Sequence, residues 1–215
     1  MATMERGLRL SVWDLDPSGS PDPSGPPDSA SDAVHFVYAL GGRWQVGDAV
    51  LGPEAGAFVE SGAAIAGMGS AWLFSVGPAY PALALDAALV LSRLVAVPAG
   101  PLIVRADRVE APAGAVTPRH RHQGPGIRRL VRGLLMAQIA DRIDRIGPGA
   151  AWFETGAEPV VGTNVSGGAN VFVRVMLLPA ELSGGASSFI PDGPAEAAKP
   201  RGVGLQIFGE RALHT

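Results

Sequence analysis

Turn chemistry constrains this chain more than any other feature. Its 215 residues include 29 Gly and 19 Pro, and the apolar runs between them are short. VHFVYAL (34–40), RWQVGDAVL (43–51), AFVESG (57–62) and AWLFSV (71–76) come first. PLIVRADRVEA (101–111), IRRLVRGLLMAQI (127–139), AAWFETG (150–156) and NVFVRVMLLP (170–179) repeat the style, and GVGLQIFGE (202–210) supplies a last run. Strand-length runs punctuated by Gly and Pro predict an all-β sandwich or barrel. One segment differs. PALALDAALVLSRL (81–94) spaces its apolar residues in a helix-like way, and a helix or irregular connector is expected there, with two short strands as the alternative.

Composition narrows the class of function. Hydrophobic residues make up 47% of the chain, enough to bury a core without metal or disulfide staples. The net charge is −3 with both signs dispersed. That argues against nucleic acid or an anionic membrane surface as a partner, because both need concentrated positive potential. Cysteine is absent, which excludes disulfides, thiolate metal sites and a Cys nucleophile. The first residues lack the apolar core of a secretory signal. The most apolar stretch (82–97) is broken by Asp86 and Arg93 and is too short to span a bilayer. A soluble, cytoplasmic protein is the expectation. Residues 16–33, DPSGSPDPSGPPDSASDA, bury too little apolar surface to offset ordering and read as a flexible loop. The expected organisation is an N-terminal strand (1–15), that loop, an N-terminal half (34–76), a connector (77–100) and a C-terminal domain with its tail (101–215).

The halves repeat each other. LGPEAGAFVESGAAIAG (51–67) lies beside IGPGAAWFETGAEPVVG (146–162), with Phe58-Val59-Glu60-Ser61-Gly62-Ala63 matching Trp152-Phe153-Glu154-Thr155-Gly156-Ala157. The recurrence of Glu60 and Glu154 reads as structural, two acids that hold turns. Phe58, Trp72, Phe74, Trp152 and Phe153 read as core.

His120 and His122 stand one residue apart and make up half of the four histidines. Gly114-AVTPR-His120-Arg121-His122-QGP-Gly126-IRRLVR-Gly133 resembles the first motif of the cupin superfamily at every position but one, where Gly126 replaces a Glu. The second motif is weaker. Gly156 keeps its turn, Pro159 stands at the His position beside Glu158, and Asn164 falls one position late. The N-terminal half is more degenerate, and counting back from Gly42 puts His35 at its Glu position. The resemblance covers roughly 34–76 and 101–179. It implies a double-stranded β-helix (jelly-roll) cupin barrel built from two cupin-like halves. It also implies a small-molecule pocket, and a homodimer that covers exposed strand edges.

In a strand, residues i and i+2 share a face, so both imidazoles can enter the barrel while Arg119 and Arg121 point away. Two imidazoles suit Fe, Mn, Ni, Cu or Zn. With the family's Glu and third His missing, Glu158 is the candidate third ligand, and Gln123 is a weaker one. Arg128 follows Gly126 by two and should share its inward face, where a planar guanidinium would bind a carboxylate or phosphate. Gln123 and His35 complete the candidate substrate contacts. Two functions stay open. One is an oxygenase- or isomerase-type enzyme, using a divalent metal or the imidazoles as acid/base groups. The other is a non-catalytic ligand-binding or regulatory protein.

Overall fold

A computed structural model of the chain describes residues 6–15, 33–78, 87–97 and 100–213. The expected flexible loop, but for its last residue, lies outside these residues. The regular structure is nearly all strand, and the chain falls into two compact units, 1–104 with 211–215, and 105–210.

The first unit contains β1 (Arg6–Leu15), β2 (Val34–Ala39), β3 (Arg43–Val46), β4 (Ala49–Leu51), β5 (Gly56–Val59), β6 (Ile65–Met68), β7 (Ala71–Gly77) and β8 (Ala87–Val97). They form a five-stranded sheet in the order β5-β2-β7-β1-β8 and a three-stranded sheet in the order β4-β3-β6. Between the sheets, Trp44, Val46 and Ile65 from the smaller one meet Val37, Ala39 and Leu73 from the larger one in a single apolar cluster. Each such buried side chain contributes roughly 1.5–3 kcal/mol relative to exposure.

The second unit contains most of β9 (Leu102–Ala111), then β10 (His120–His122), β11 (Gly126–Arg132), β12 (Leu135–Ile139), β13 (Arg142–Ile146), β14 (Ala151–Glu154), β15 (Val160–Asn164), β16 (Asn170–Pro179), β17 (Phe189–Pro191) and most of β18 (Gly204–Leu213). Its sheets run β14-β11-β16-β9-β18 and β13-β12-β15-β10-β17. The first order is that of β5-β2-β7-β1-β8, and β13-β12-β15 repeats β4-β3-β6. The duplication seen in the sequence is therefore a duplication of topology. Strands β10 and β17 have no counterpart among the described residues of the first unit.

Register pairs the two units residue by residue. His35 faces Val59 on one side and Ser75 on the other, and Gly126 faces Glu154 and Met176 in the same way. By that pairing Val59, not Glu60, is the counterpart of Glu154. The sequence match of Glu60 to Glu154 was one residue out of step, and a one-residue slip moves a side chain to the other face. Glu60 is exposed and pairs with Arg211, whereas Glu154 is buried. The reading of both as turn-holding acids is thus corrected for Glu154.

The expected helix or irregular connector over 81–94 is also corrected from residue 87 on, residues 81–86 lying outside the described residues. Residues 87–97 are strand β8, paired along its length with β1, with a register shift between Val12 and Trp13. Most of β8 is exposed or half-buried, as befits an edge strand. Its helix-like spacing lost to a partner strand more than seventy residues earlier, which no local pattern reports. The run 127–139 is two strands, with Gly133 at φ 89° turning between them. A Cβ there would lie 2.6 Å from the Cβ of Asn170, so the turn needs glycine for space as well as for conformation.

His35 is buried in β2, and burial pushes its imidazole from the usual 6.5 down to about 4. The unfolded chain therefore binds a proton that the folded chain refuses between those two values. Stability is fully present above about pH 6.5 and is lost as pH falls toward 4, by roughly 3 kcal/mol at about 1.36 kcal/mol per unit. Chemical denaturation between pH 7 and pH 4 should show a shallower loss in His35→Leu than in the wild type. Identical slopes would count against this account.

Candidate functional site

The site lies inside the second unit. Strand β10 pairs with β15 and β17 and buries both imidazoles while Arg121 stays half-exposed. The flanking arginines are drawn outward by one carboxylate. Asp192 takes Arg119 Nε at 2.8 Å and Arg121 Nη1 at 2.7 Å. His120 and His122 meet edge to face with centroids 4.9 Å apart, and Phe189 of β17 stacks on His120 at 4.3 Å. The Nδ1 of His120 lies 2.7 Å from the Pro118 carbonyl.

The opposite wall carries charge. Gly126, Arg128 and Leu130 alternate inward along β11. The guanidinium of Arg128 fills the space beside Gly126, where it donates to the Gly126 carbonyl at 2.8 Å. A Cβ at Gly126 would stand 3.1 Å from Nη1. It would also stand 3.0 Å from Met176 Cγ and 3.1 Å from the Val175 carbonyl oxygen, so a side chain there would crowd all three. Arg128 Nη2 contacts Glu154 Oε2 at 2.6 Å, without the alignment of a hydrogen bond. The other oxygen of Glu154 accepts from Trp152 Nε1 at 2.9 Å, and His122 Nε2 lies 3.6 Å from the carboxylate. Arg128 faces Arg174 of β16 directly across the strand pair. Arg174 Nε donates to the fully buried Asp107 at 2.5 Å, and Arg105 pairs with Glu210 at 2.6 Å.

A cavity of about 190 Å³ opens between these walls. Arg105, Arg128, Arg174 and Arg201 line it with Glu154 as the single carboxylate, because Asp107 and Glu210 stand behind their arginines. Val109, Leu135, Trp152, Val160 and Phe172 make much of the rest apolar. The imidazoles register this field. His122 is held well below 6.5, by burial first and then by Arg128, Arg174, His120 and Arg201. Burial also lowers His120, against the opposing pull of the Pro118 carbonyl and Glu154. Burial lowers Arg128 to about 10, still cationic at neutral pH, with Glu154 opposing. Asp107 is raised, again by burial first, against Arg174.

Of the residues expected from the sequence, His120, His122 and Arg128 line this cavity and three others do not. Glu158, the expected third ligand, lies exposed in the β14–β15 turn, where its carboxylate accepts from Thr155 Oγ1 at 3.0 Å. The turn that follows Glu154 carries it away from the interior. Gln123 is exposed past the end of β10 and donates to the Ser187 carbonyl at 3.2 Å. His35 is buried within the first unit. Asn164 supports structure: its amide nitrogen donates to the Ala111, Pro112 and Gly168 carbonyls. Sequence reasoning missed Glu154, Arg174, Arg105 and Asn170. Arg174 had a signal, since Asn170, Phe172 and Arg174 fall at period two within an otherwise apolar strand.

The residues present do not fit a divalent metal. Among the described residues no three His, Cys, Asp or Glu side chains converge. The carboxylate nearest the two imidazoles, Glu154, is already paired with the guanidinium of Arg128.

No protein-family model and no curated protein matches the sequence. Solved structures do resemble the fold. A putative glyoxylate-induced protein from Pseudomonas aeruginosa aligns with TM-score 0.54 at 12% identity, over 80% of this chain and 74% of that one. A cupin 2 conserved barrel domain protein from Leptotrichia buccalis aligns with TM-score 0.50 at 9% identity, over 82% and 88%. AerE from Microcystis aeruginosa gives TM-score 0.48 at 13% identity, over 80% and 87%. At these identities the likeness concerns the fold alone. Among the described residues no helix is long and apolar enough to cross a membrane.

Removing one partner of a buried ion pair leaves the other charge uncompensated. Arg128→Met should therefore cost about 3–5 kcal/mol, and adding Glu154→Gln should recover most of that loss. A double-mutant cycle by chemical denaturation measures it. Additive losses would mean that the two side chains do not interact.

Proposed function

With a cupin fold as the starting point, we propose that the second unit binds a small organic anion through Arg128 and Arg174, with His120 and His122 lining the same pocket. The facing pair of guanidiniums, Arg128 fully buried and Arg174 largely so, carries this reading. Two like charges side by side repel, and each is paired with one carboxylate, Arg128 with Glu154 and Arg174 with Asp107. A bound carboxylate would relieve that repulsion, and Arg128 Nη2 is a buried donor without an aligned acceptor. The cavity falls below the usual range of roughly 300–1,000 Å³ for drug-sized ligands, which suits a small metabolite.

The imidazoles add chemistry. Held neutral by burial and by the arginines, His122 can accept a proton, and a bound anion would raise its basicity. Its place 3.6 Å from Glu154 favours the acid/base form of the enzyme reading. A receptor without catalysis is equally served by the arginines.

Thermal-shift and calorimetric titration with small mono- and dicarboxylates should show saturable binding. Arg174→Gln should weaken it by about tenfold or more, the loss of one charge-assisted contact. Binding that is indifferent to Arg174 would sink the reading. Elemental analysis of the purified protein should find divalent metal well below one per chain, before and after reconstitution. One tightly held ion per chain that disappears in His120→Ala with His122→Ala would restore the metal-dependent alternative.

A further inference from the structure

Asn170 begins β16, and it shares the inward face with Phe172 and Arg174 by strand alternation. Its side chain is fully buried against the cavity. Neither its amide nitrogen nor its amide oxygen has a hydrogen-bond partner. Leaving a buried donor or acceptor unmet costs about 1–3 kcal/mol each, and native structures carry few such groups. Asn164, close by in the sequence, shows how this chain satisfies a structural amide, with three acceptors on one nitrogen. Asn170 has no such partner on either atom, and it lies in the lining of the pocket.

We propose that the occupant of this pocket carries, beside its anionic group, a carboxamide-type edge that pairs with Asn170. This rests on the anion-pocket reading and names the second half of the ligand. A planar amide offers one donor and one acceptor side by side, and its complement is another planar donor–acceptor edge. A carbonyl alone meets only the nitrogen, and an ether or ester likewise leaves the oxygen bare. Between the two polar ends the lining is apolar, with Phe172 and Trp152 in edge contact at 5.2 Å. Four residues of strand separate the Asn170 and Arg174 Cα atoms by roughly 13 Å, a span that an arginine side chain and a short acyl chain bridge together. The ligand class is thus a small amido acid: carboxylate at Arg128 and Arg174, short apolar middle, amide at Asn170.

Calorimetric titration of the full chain tests this with matched probes. Succinamate, glutaramate and adipamate each carry a carboxylate and a terminal amide. Their methyl-ketone isosteres, levulinate for succinamate, keep the acceptor and lose the donor. The best amide should bind roughly tenfold tighter than its ketone. Asn170→Leu keeps the branching and removes both polar atoms. It should abolish the amide preference, leave ketone-acid affinity within about twofold, and cost no stability, because it removes unmet groups. Asn170→Ser, with one hydroxyl, should keep only part of the preference. Equal binding of amide and ketone by the wild type would overturn the proposal. So would a preference that survives in Asn170→Leu, or a large loss of stability there with full preference in Asn170→Ser, since either gives Asn170 a structural role. If no probe binds, amide or ketone, the anion pocket itself fails and this inference fails with it.

Discussion

A guanidinium buried inside a β-barrel must be answered, and the second unit is arranged around answering Arg128. Transfer of an unpaired charge into such an interior costs several kcal/mol even after relaxation. Glu154 supplies the counter-charge, Trp152 holds that carboxylate in place, and Gly126 yields the volume of a side chain so that the guanidinium fits. The same logic continues across the sheet. Arg174 leans on Asp107 and Arg105 on Glu210, giving a band of paired charge over β14, β11, β16, β9 and β18. The carboxylates stand mostly behind the arginines, so the cavity sees cations. Burial first, and then that polarity, hold the His122 imidazole well below its usual range.

The first unit shows what the same topology becomes without this demand. By register the counterparts of Arg128, Arg174 and Glu154 are Val37, Leu73 and Val59. Val37 and Leu73 join Trp44 and Ile65 in an apolar core, with Val59 packed at its edge. His35, at the position of Gly126, is the polar exception, and burial keeps it uncharged. One architecture thus holds two interiors, one filled by apolar side chains and one left open and lined with charge.

Much of the fold was legible in the sequence because it rests on local chemistry. Gly and Pro marked turns, alternation marked strands, and the spacing from Gly114 through His120 and His122 to Gly133 marked the barrel motif. The site was legible where the same rule applied: alternation alone placed His120, His122 and Arg128 inward and Arg121 outward. It failed where placement depended on register. The sequence match of Glu154 to Glu60 is one position out of step, which makes a buried acid look like a turn residue. Glu158 lies near the vacant His position in sequence, but the turn after β14 carries it into solvent. Strand β8 shows no local sign of pairing because its partner is remote.

By itself, the sequence determined that this chain is all-β, duplicated, and built with two imidazoles facing one interior, since these follow from side-chain period and turn residues. Only the tertiary structure decided what stands opposite those imidazoles. Glu154, Asp107, Arg174 and Arg128 lie on four strands, up to 67 residues apart for a single ion pair, and meet through hydrogen-bond register. Register is set by the packing of whole sheets, and no window along the chain contains it.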